Sequence, residues 1–140
     1  MINVFTYTYT LSSTQILNMY ASSVTITLYD QVQATKALVI IGEPSLEYKT
    51  GSSGYSNGGL IHLEYTGATG TNIYNCQKEA IRNNTNRVMN FQTNVAGTGA
   101  PTFPNNIFIL RNLTGAFTGG DGTAIVRFNY MIIELTAAAT

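Results

Sequence analysis

The segment TAIVRFNYMIIEL (123–135), preceded by the Gly-rich run GAFTGGDG (115–122), decides the fold class because its apolar residues recur at every second position. Its even-numbered residues from Ala124 to Ile132 form one apolar face, as expected of a β-strand whose side chains alternate between the two sides of a sheet. The opposite face begins polar and becomes apolar at Met131, Ile133 and Leu135. A strand that packs on one side only would stay polar there, so we expect these three side chains to be covered.

The same alternation recurs along the rest of the chain. Seven further segments have strand-like patterns, at 4–11, 24–29, 36–41, 60–65, 73–74, 88–95 and 106–113. The segment 36–41 is apolar throughout, which is typical of a strand buried on both faces, and Gly42 and Pro44 are expected to end it. With the closing strand, the sequence predicts an all-β fold. We expect a jelly-roll-like antiparallel β-sandwich of about eight strands with at most short helices, in a single domain spanning 1–140.

The alternating faces also predict which side chains form the core. The residues expected to be mainly buried are Tyr7, Tyr9, Val24, Ile26, Leu28, Leu38, Ile40, Ile61, Leu63, Phe91, Phe108, Leu110, Val126, Phe128 and Tyr130.

Helices and loops are predicted from local composition. Short helices are expected within 13–21 and within 75–84, the latter with Asn75 as its N-cap. Gly and Ser dominate 50–59, which predicts a mobile surface loop that would tolerate shortening. The GGDG run at 119–122 matches a tight hairpin turn.

The charge content limits the classes of partner. Charged residues make up only 10% of the 140 residues and the formal net charge is zero, against about 25% charged residues in an ordinary domain. Nucleic-acid binders need clustered Lys and Arg, so no nucleic-acid partner is expected. A near-zero net charge protects poorly against self-association, which is a first indication of assembly.

No targeting or membrane segment is recognisable in the sequence. The N-terminal stretch MINVFTYTYTLSS has neither a basic region nor a continuous apolar run, so no signal peptide is predicted and synthesis in the cytoplasm is expected. No apolar run approaches the roughly 18 residues of a membrane helix, so no membrane partner is expected.

The residues able to carry chemistry are sparse. His62 is the single histidine, and Glu64 shares its predicted strand face, so the two could form a base with its carboxylate or half a metal site. No second His or Cys completes a zinc shell, and a structural role is favoured. Cys76 is the single cysteine and is expected to be inert, and Asp121 fits a turn better than a calcium site. We therefore predict no catalytic residues, no metal and no cofactor, and no enzymatic activity.

Aromatic residues are more numerous, with nine Tyr and six Phe but no Trp. Tyrosine is common at interfaces because it combines a large rigid ring with a polar tip. Tyr48 and Tyr55 lie in or beside the loop 50–59 and are predicted to be exposed, where they could bind a partner such as a host-surface glycan.

The closing segment FTGGDGTAIVRFNYMIIEL resembles the C-terminal hairpin of many small virion proteins of tailed bacteriophages. The residues that carry the resemblance are Gly120, Asp121, Gly122, Val126, Tyr130, Ile132, Ile133, Glu134 and Leu135. The passage ATKALVIIGEPS (34–45) is similar to a strand-to-turn passage of such proteins. The resemblance implies a non-enzymatic β-sandwich that decorates a capsid or forms part of a fibre or tail, located in the virion and in contact with other virion proteins. A carbohydrate-binding, lectin-like module is the alternative.

Two covers are open for the second apolar face of the closing strand. The segment 13–21 could fold over it with Ile16, Leu17 and Met19. A second subunit of a homo-oligomer is the other cover, and the resemblance favours a trimer in that case.

Overall fold

The structure, a computed structural model, describes residues 4–26, 36–65, 72–93, 108–112 and 114–134. These residues are mostly β-strand, which confirms the predicted fold class. They contain eleven strands: β1 (Val4–Leu11), β2 (Val24–Ile26), β3 (Lys36–Lys49), β4 (Ser56–Asn57), β5 (Ile61–Tyr65), β6 (Asn72–Cys76), β7 (Arg87–Asn90), β8 (Gln92–Thr93), β9 (Phe108–Asn112), β10 (Phe117–Thr118) and β11 (Thr123–Glu134). The excess over the predicted eight comes from the two-residue strands β4 and β10 and from a division of the segment 88–95.

The strands form two main sheets and one small ribbon. The first sheet has the order β1-β11-β3-β7, the second has the order β2-β9-β5-β6-β8, and β4 pairs with β10. Every pair of neighbouring strands is antiparallel. Both main sheets contribute side chains to one continuous core, as in a β-sandwich. The finer jelly-roll topology stays a prediction.

Most of the predicted core positions are buried. Those confirmed are Val24, Ile26, Ile61, Leu63, Phe91, Leu110, Val126, Phe128 and Tyr130. Three others, Tyr7, Tyr9 and Ile40, are only partly buried and pack against the core from its margin. Leu28 and the side chains of Leu38 and Phe108 lie outside the part of the chain that the structure describes.

The strand predicted to end at Gly42 instead continues to Lys49, so this boundary was wrong. The pairing of β3 with β11 shifts between Arg127 and Asn129, opposite the stretch that contains Gly42 and Pro44. This bulge accommodates a proline, which cannot donate to a ladder, and a glycine with a φ of 72°.

The segment 88–95 was predicted as one strand and is divided in the structure. β7 pairs with β3 in the first sheet, whereas β8 pairs with β6 in the second. Between them, Phe91 is fully buried and its backbone N–H donates to the carbonyl oxygen of Pro44 at 2.8 Å. The chain thus crosses from one layer to the other at a core side chain.

The helix α1 (Ser13–Asn18) confirms the prediction for 13–21. The Ser12 hydroxyl accepts from the Gln15 backbone N–H and the Gln15 side chain accepts from the Ser12 backbone N–H, which is a capping box. The other predicted helix is reduced to a 3-10 turn at Lys78–Ala80 with Gln77 before it, and Asn75 belongs to β6. The prediction of Asn75 as an N-cap was therefore wrong.

The loop 50–59 is anchored, contrary to the prediction of a mobile segment without anchors. The Asp121 carboxylate accepts from the Ser52 hydroxyl at 2.5 Å and from the Ser53 backbone N–H at 2.8 Å. The predicted hairpin turn at 119–122 is also wrong, because β10 pairs with β4 of this loop and not with β11. The GGDG run instead holds the loop against the end of the first sheet.

Candidate functional site

The strand β11 lies between β1 and β3 in the first sheet. The side chains on one face of β11 therefore belong to the inner face of this sheet, and those on its other face belong to the outer face. Its even-numbered residues from Ala124 to Tyr130 are buried in the core. The odd-numbered residues therefore lie on the outer face of the sheet. The register places Met131 opposite Val4 on one side and opposite Val39 on the other.

One half of this outer face is an apolar patch that the described residues leave partly uncovered. It comprises Val4, Val39, Ile41, Met131 and Ile133, which we call the open surface. Val4 is 59% exposed and Ile133 is 37% exposed, while the other three side chains are partly buried. Met131 and Ile133, which the sequence analysis predicts on a second apolar face, lie on this surface. Leu135, the third residue predicted, lies outside the described residues.

The other half of the same outer face is ionic. The Glu47 carboxylate accepts from Arg127 at 2.7 Å and pairs with the Lys49 ammonium at 2.6 Å. The hydrogen bonds from Lys49 and then from Arg127 lower the pKa of Glu47 below its usual value. A hydrogen bond of 2.8 Å from the Thr6 hydroxyl to the Asn129 side chain separates this ionic half from the open surface. The outer face thus changes from charged to apolar along one strand.

The helix α1 does not cover the open surface, which excludes the first of the two covers considered, an internal cover by 13–21. α1 follows Leu11, which pairs with Ala124 at the other end of β11. Ile16 of α1 and its C-cap residue Met19 are each 1% exposed and belong to the core. Because these side chains pack in the core of the sandwich, the segment cannot also lie on the outer face of the first sheet.

Tyr48 and Tyr55 were predicted to be exposed, and this was wrong, because Tyr48 is 0% and Tyr55 3% exposed. The Tyr55 hydroxyl donates to the Gly122 carbonyl at 2.6 Å, and the Tyr48 hydroxyl donates to the Asn84 side chain at 3.0 Å. Burial raises the pKa of both phenols.

The two rings meet edge to face with centroids 6.2 Å apart, and Tyr55 meets Phe117 at the same distance. Gly120 permits this packing, since a Cβ there would collide with the Tyr55 ring. We call this region, with Tyr48, Tyr55 and Phe117 at its centre, the closed end.

His62 and Glu64 lie together on the outer side of the second sheet, and both are nearly buried, at 8% and 2% exposed. The register places His62 opposite Arg111 of β9. The Glu64 carboxylate pairs with the Arg111 guanidinium, with 2.5 Å between Oε1 and Nε. A carboxylate neutralised by Arg is a poor cation ligand, which favours the structural role over half a metal site.

Cys76 is 1% exposed, and burial raises its pKa to about 12. Such a thiol is a poor nucleophile, because the reactive species is the thiolate. Among the residues that the structure describes, no group of three or more His, Cys, Asp and Glu side chains is arranged to hold a metal ion. Within the same residues, no helix is both long and apolar enough to cross a membrane.

A neutral cleft of about 370 Å³ lies between α1, the start of β2 and the edge of β1. The side chains that line it carry hydroxyl and amide groups together with one partly buried aromatic ring. They are Tyr9, Thr14, Gln15, Asn18, Ser22, Ser23, Val24 and Thr25. None of these side chains is charged at neutral pH, so the cleft suits an uncharged polar ligand.

Comparison with known proteins identifies a structural relative. A chain of the cyanophage Pam1 capsid asymmetric unit superimposes with a TM-score of 0.55 and 15% sequence identity. The match covers 93% of the present chain and 85% of the Pam1 chain. At this identity the similarity shows a shared fold. No protein-family model and no curated protein sequence matches the chain.

Proposed function

We propose that the protein is a non-enzymatic structural component of a virus particle and acts through subunit–subunit contacts. The open surface is the observation that carries this proposal. It is an apolar patch on a regular sheet face, and its most exposed members, Val4 and Ile133, come from different strands of one sheet. Large exposed apolar patches on soluble proteins mark interaction sites.

The fold also supports a structural role in a virus particle. The Pam1 chain of the same fold belongs to a capsid asymmetric unit. The closing segment 117–135 also carries the residues that resemble small virion proteins of tailed phages. A role in decorating the capsid, or in a fibre or tail, follows from that resemblance, with the virion as location and other virion proteins as partners.

A second copy of this chain is the proposed cover of the open surface. Closed homo-oligomers are the usual solution for such a face, and a three-fold axis is the arrangement that the resemblance favours. Leaving apolar side chains in water forgoes roughly 1.5–3 kcal/mol for each one that could be fully buried. Burial between subunits would recover part of this free energy, since each open-surface residue is already partly covered.

The test is the variant Ile133→Asp, which places a charge on the open surface. We expect the wild-type protein to be an oligomer by light scattering and the variant to be a smaller, folded species, because an unpaired charge is costly to bury between subunits. Circular dichroism is used to check that the variant retains its β-sheet.

The chain offers a matched control in Val88→Asp. Val88 is 63% exposed and lies opposite Glu47, on the ionic half of the same outer face. This variant should keep the wild-type oligomeric state. A wild type that stays monomeric at high concentration, or equal loss of assembly in both variants, would refute the proposed role of the open surface.

A carbohydrate-binding module remains the second candidate, now on a different site. Tyr48 and Tyr55 are buried and are no longer candidates for a glycan site, but the neutral cleft beside α1 presents hydroxyls, amides and the Tyr9 ring. Rings and uncharged hydrogen-bonding groups suit saccharides. Specific binding on a glycan array that is lost in Asn18→Ala, with assembly unchanged, would favour this candidate.

A further inference from the structure

The first strand, β1, forms one edge of the first sheet. It pairs with β11 along all eight of its residues, Val4–Leu11, and no strand among the described residues pairs with its other side. In an antiparallel strand, alternate residues turn their backbone N–H and C=O groups away from the paired neighbour. β1 therefore presents a row of backbone donors and acceptors that can pair with another strand.

Within its own sequence and its described pairing, this edge carries none of the usual protections against pairing. Its sequence, VFTYTYTL, contains no charged residue, no proline and no glycine, and its register with β11 has no bulge. Native proteins interrupt long exposed edges with such features. The opposite edge of the sheet, β7, is only four residues long and begins at Arg87. Of the two edges of this sheet, β1 is therefore the one better suited to pair with a further strand.

The types of side chain along β1 follow nearly the same order in both directions, which suits antiparallel pairing with a second copy of this strand. On the inner face, Phe5 is 40% exposed and Tyr7 and Tyr9 are partly buried. On the outer face, Thr6, Thr8 and Thr10 are all exposed. Residues 5–9 thus read aromatic, Thr, Tyr, Thr, aromatic in both directions. Aromatic pairs and Thr–Thr pairs are favourable neighbours across antiparallel strands.

We propose that β1 pairs antiparallel with β1 of a second copy of this chain, across a two-fold axis, to join two four-stranded sheets into one of eight strands. Directly opposed residues share a face, so odd-numbered residues must face odd-numbered ones. The register centred on Tyr7 places Phe5 opposite Tyr9 and Thr6 opposite Thr8. It also ends at Thr10, before Ser12, the N-cap residue of α1.

A second copy fits this edge because the pairing brings together no charges of like sign. The contact uses the backbone edge and is distinct from the open surface on the outer face, so the inference does not rest on the proposed function. A single strand pair is small beside the roughly 1,200–2,000 Å² of a stable interface. We therefore expect a dimer whose population rises with protein concentration.

The experiment is a charge exchange on the outer face of β1. One variant carries Thr6→Lys and Thr8→Lys, and the other carries Thr6→Glu and Thr8→Glu. In the proposed register each variant sets like charges opposite one another. Introduced into Ile133→Asp protein, which lacks the open-surface contact, each alone should lose the concentration-dependent association that Ile133→Asp shows in sedimentation experiments. An equimolar mixture sets Lys opposite Glu and should associate again, and added salt should weaken this mixed complex.

Matched controls separate this contact from others. Val88→Lys with Asn90→Lys places the same charges two residues apart on the exposed edge β7 and should leave the association unchanged. Ile133→Asp should also leave the β1 contact intact. If the double variants fold poorly by circular dichroism, a mixture of the single variants Thr6→Lys and Thr8→Glu sets one Lys opposite one Glu in this register, and it should associate more strongly than either variant alone. A wild type without association, persistence of the contact in both charged variants, or a mixture that does not associate would overturn the proposal.

Discussion

The two ends of the first sheet differ in how far the rest of the chain covers them. At the closed end, where β11 begins, the loop 50–59 and the GGDG run wrap around Tyr48, Tyr55 and Phe117, which are at most 3% exposed. At the other end, the same strand carries Met131 and Ile133, and Val4 beside them is 59% exposed. One strand thus runs from a region sealed by its own chain to a region that its described neighbours leave open.

The difference concerns loops more than strands, because the ladders of β1 and β3 continue along both ends. At the closed end, small residues allow the loops to approach the rings closely. Gly58 has a φ of 84°, which only glycine adopts readily, and a Cβ there would meet the Phe117 ring. The glycines at this end therefore allow the loops to pack closely against the aromatic rings. At the open end, a partner subunit takes the place of such loops in our proposal.

The largest expected effect is that of Phe117→Ala at the closed end. Phe117 is 2% exposed and packs edge to face against Tyr55, so truncation should leave a cavity and cost about 3–5 kcal/mol of unfolding free energy. The matched change at the open end is Phe5→Ala, whose ring is 40% exposed and stacks on Tyr130 at 5.4 Å. This variant should lose under about 2 kcal/mol.

Urea unfolding of both variants as monomers measures the difference. Equal losses would mean that the two ends are equally well packed, and the comparison between a closed and an open end would fail. A Phe117→Ala loss below about 1 kcal/mol would have the same meaning, because such a value is typical of a surface position.

The sequence predicted the strands whose pattern is local. β1 matches its predicted bounds, and the inward and outward faces of β11 follow from alternation alone. The continuation of β3 through Gly42 and Pro44 could not be predicted, since the bulge that tolerates them depends on the register with β11. Local rules correctly treat such residues as strand breakers, and the tertiary partner overrides them.

The candidate site was predicted in part, for a related reason. The apolar character of Met131 and Ile133 is visible in the sequence, whereas Val4, Val39 and Ile41 join them only through strand pairing. The burial of Tyr55 depends on Gly120 and Gly122, more than 60 positions away, and composition alone suggested an exposed loop. No single-sequence pattern records contacts over that separation.

An intermediate effect is expected at Asp121, which fastens the loop of the closed end. Hydrogen bonds from the Ser52 hydroxyl and the Ser53 backbone N–H lower its pKa below the ordinary 3.8. A carboxylate with a lowered pKa in the folded state stabilises the fold above its unfolded pKa, and this contribution disappears as the pH falls through the folded pKa. Asp121→Asn should therefore destabilise the protein at neutral pH and differ little from wild type in strong acid.

The measurement is the urea midpoint of wild type and variant at about pH 7 and about pH 2.5, between which the stabilising contribution of this carboxylate should decrease. Glu43→Gln serves as the control, because Glu43 is an exposed acid of β3 and makes no ion pair among the described residues. Its midpoint should follow that of the wild type at both pH values. A gap between wild type and Asp121→Asn that persists unchanged in acid would show that the carboxylate does not fasten the loop through its charge.

The smallest effect on folding is expected for Val4→Thr at the open end. Val4 is 59% exposed, and threonine keeps the β-branched shape that suits a strand, so the unfolding free energy of the monomer should change by no more than about 0.5 kcal/mol. The hydroxyl nevertheless removes apolar area from the open surface, in the row that Val4 shares with Met131 and Val39. Assembly measured by light scattering should therefore weaken while the fold does not. A loss of more than about 1 kcal/mol in the monomer would show that the chain itself covers Val4, because only a packed position pays that cost on gaining a hydroxyl.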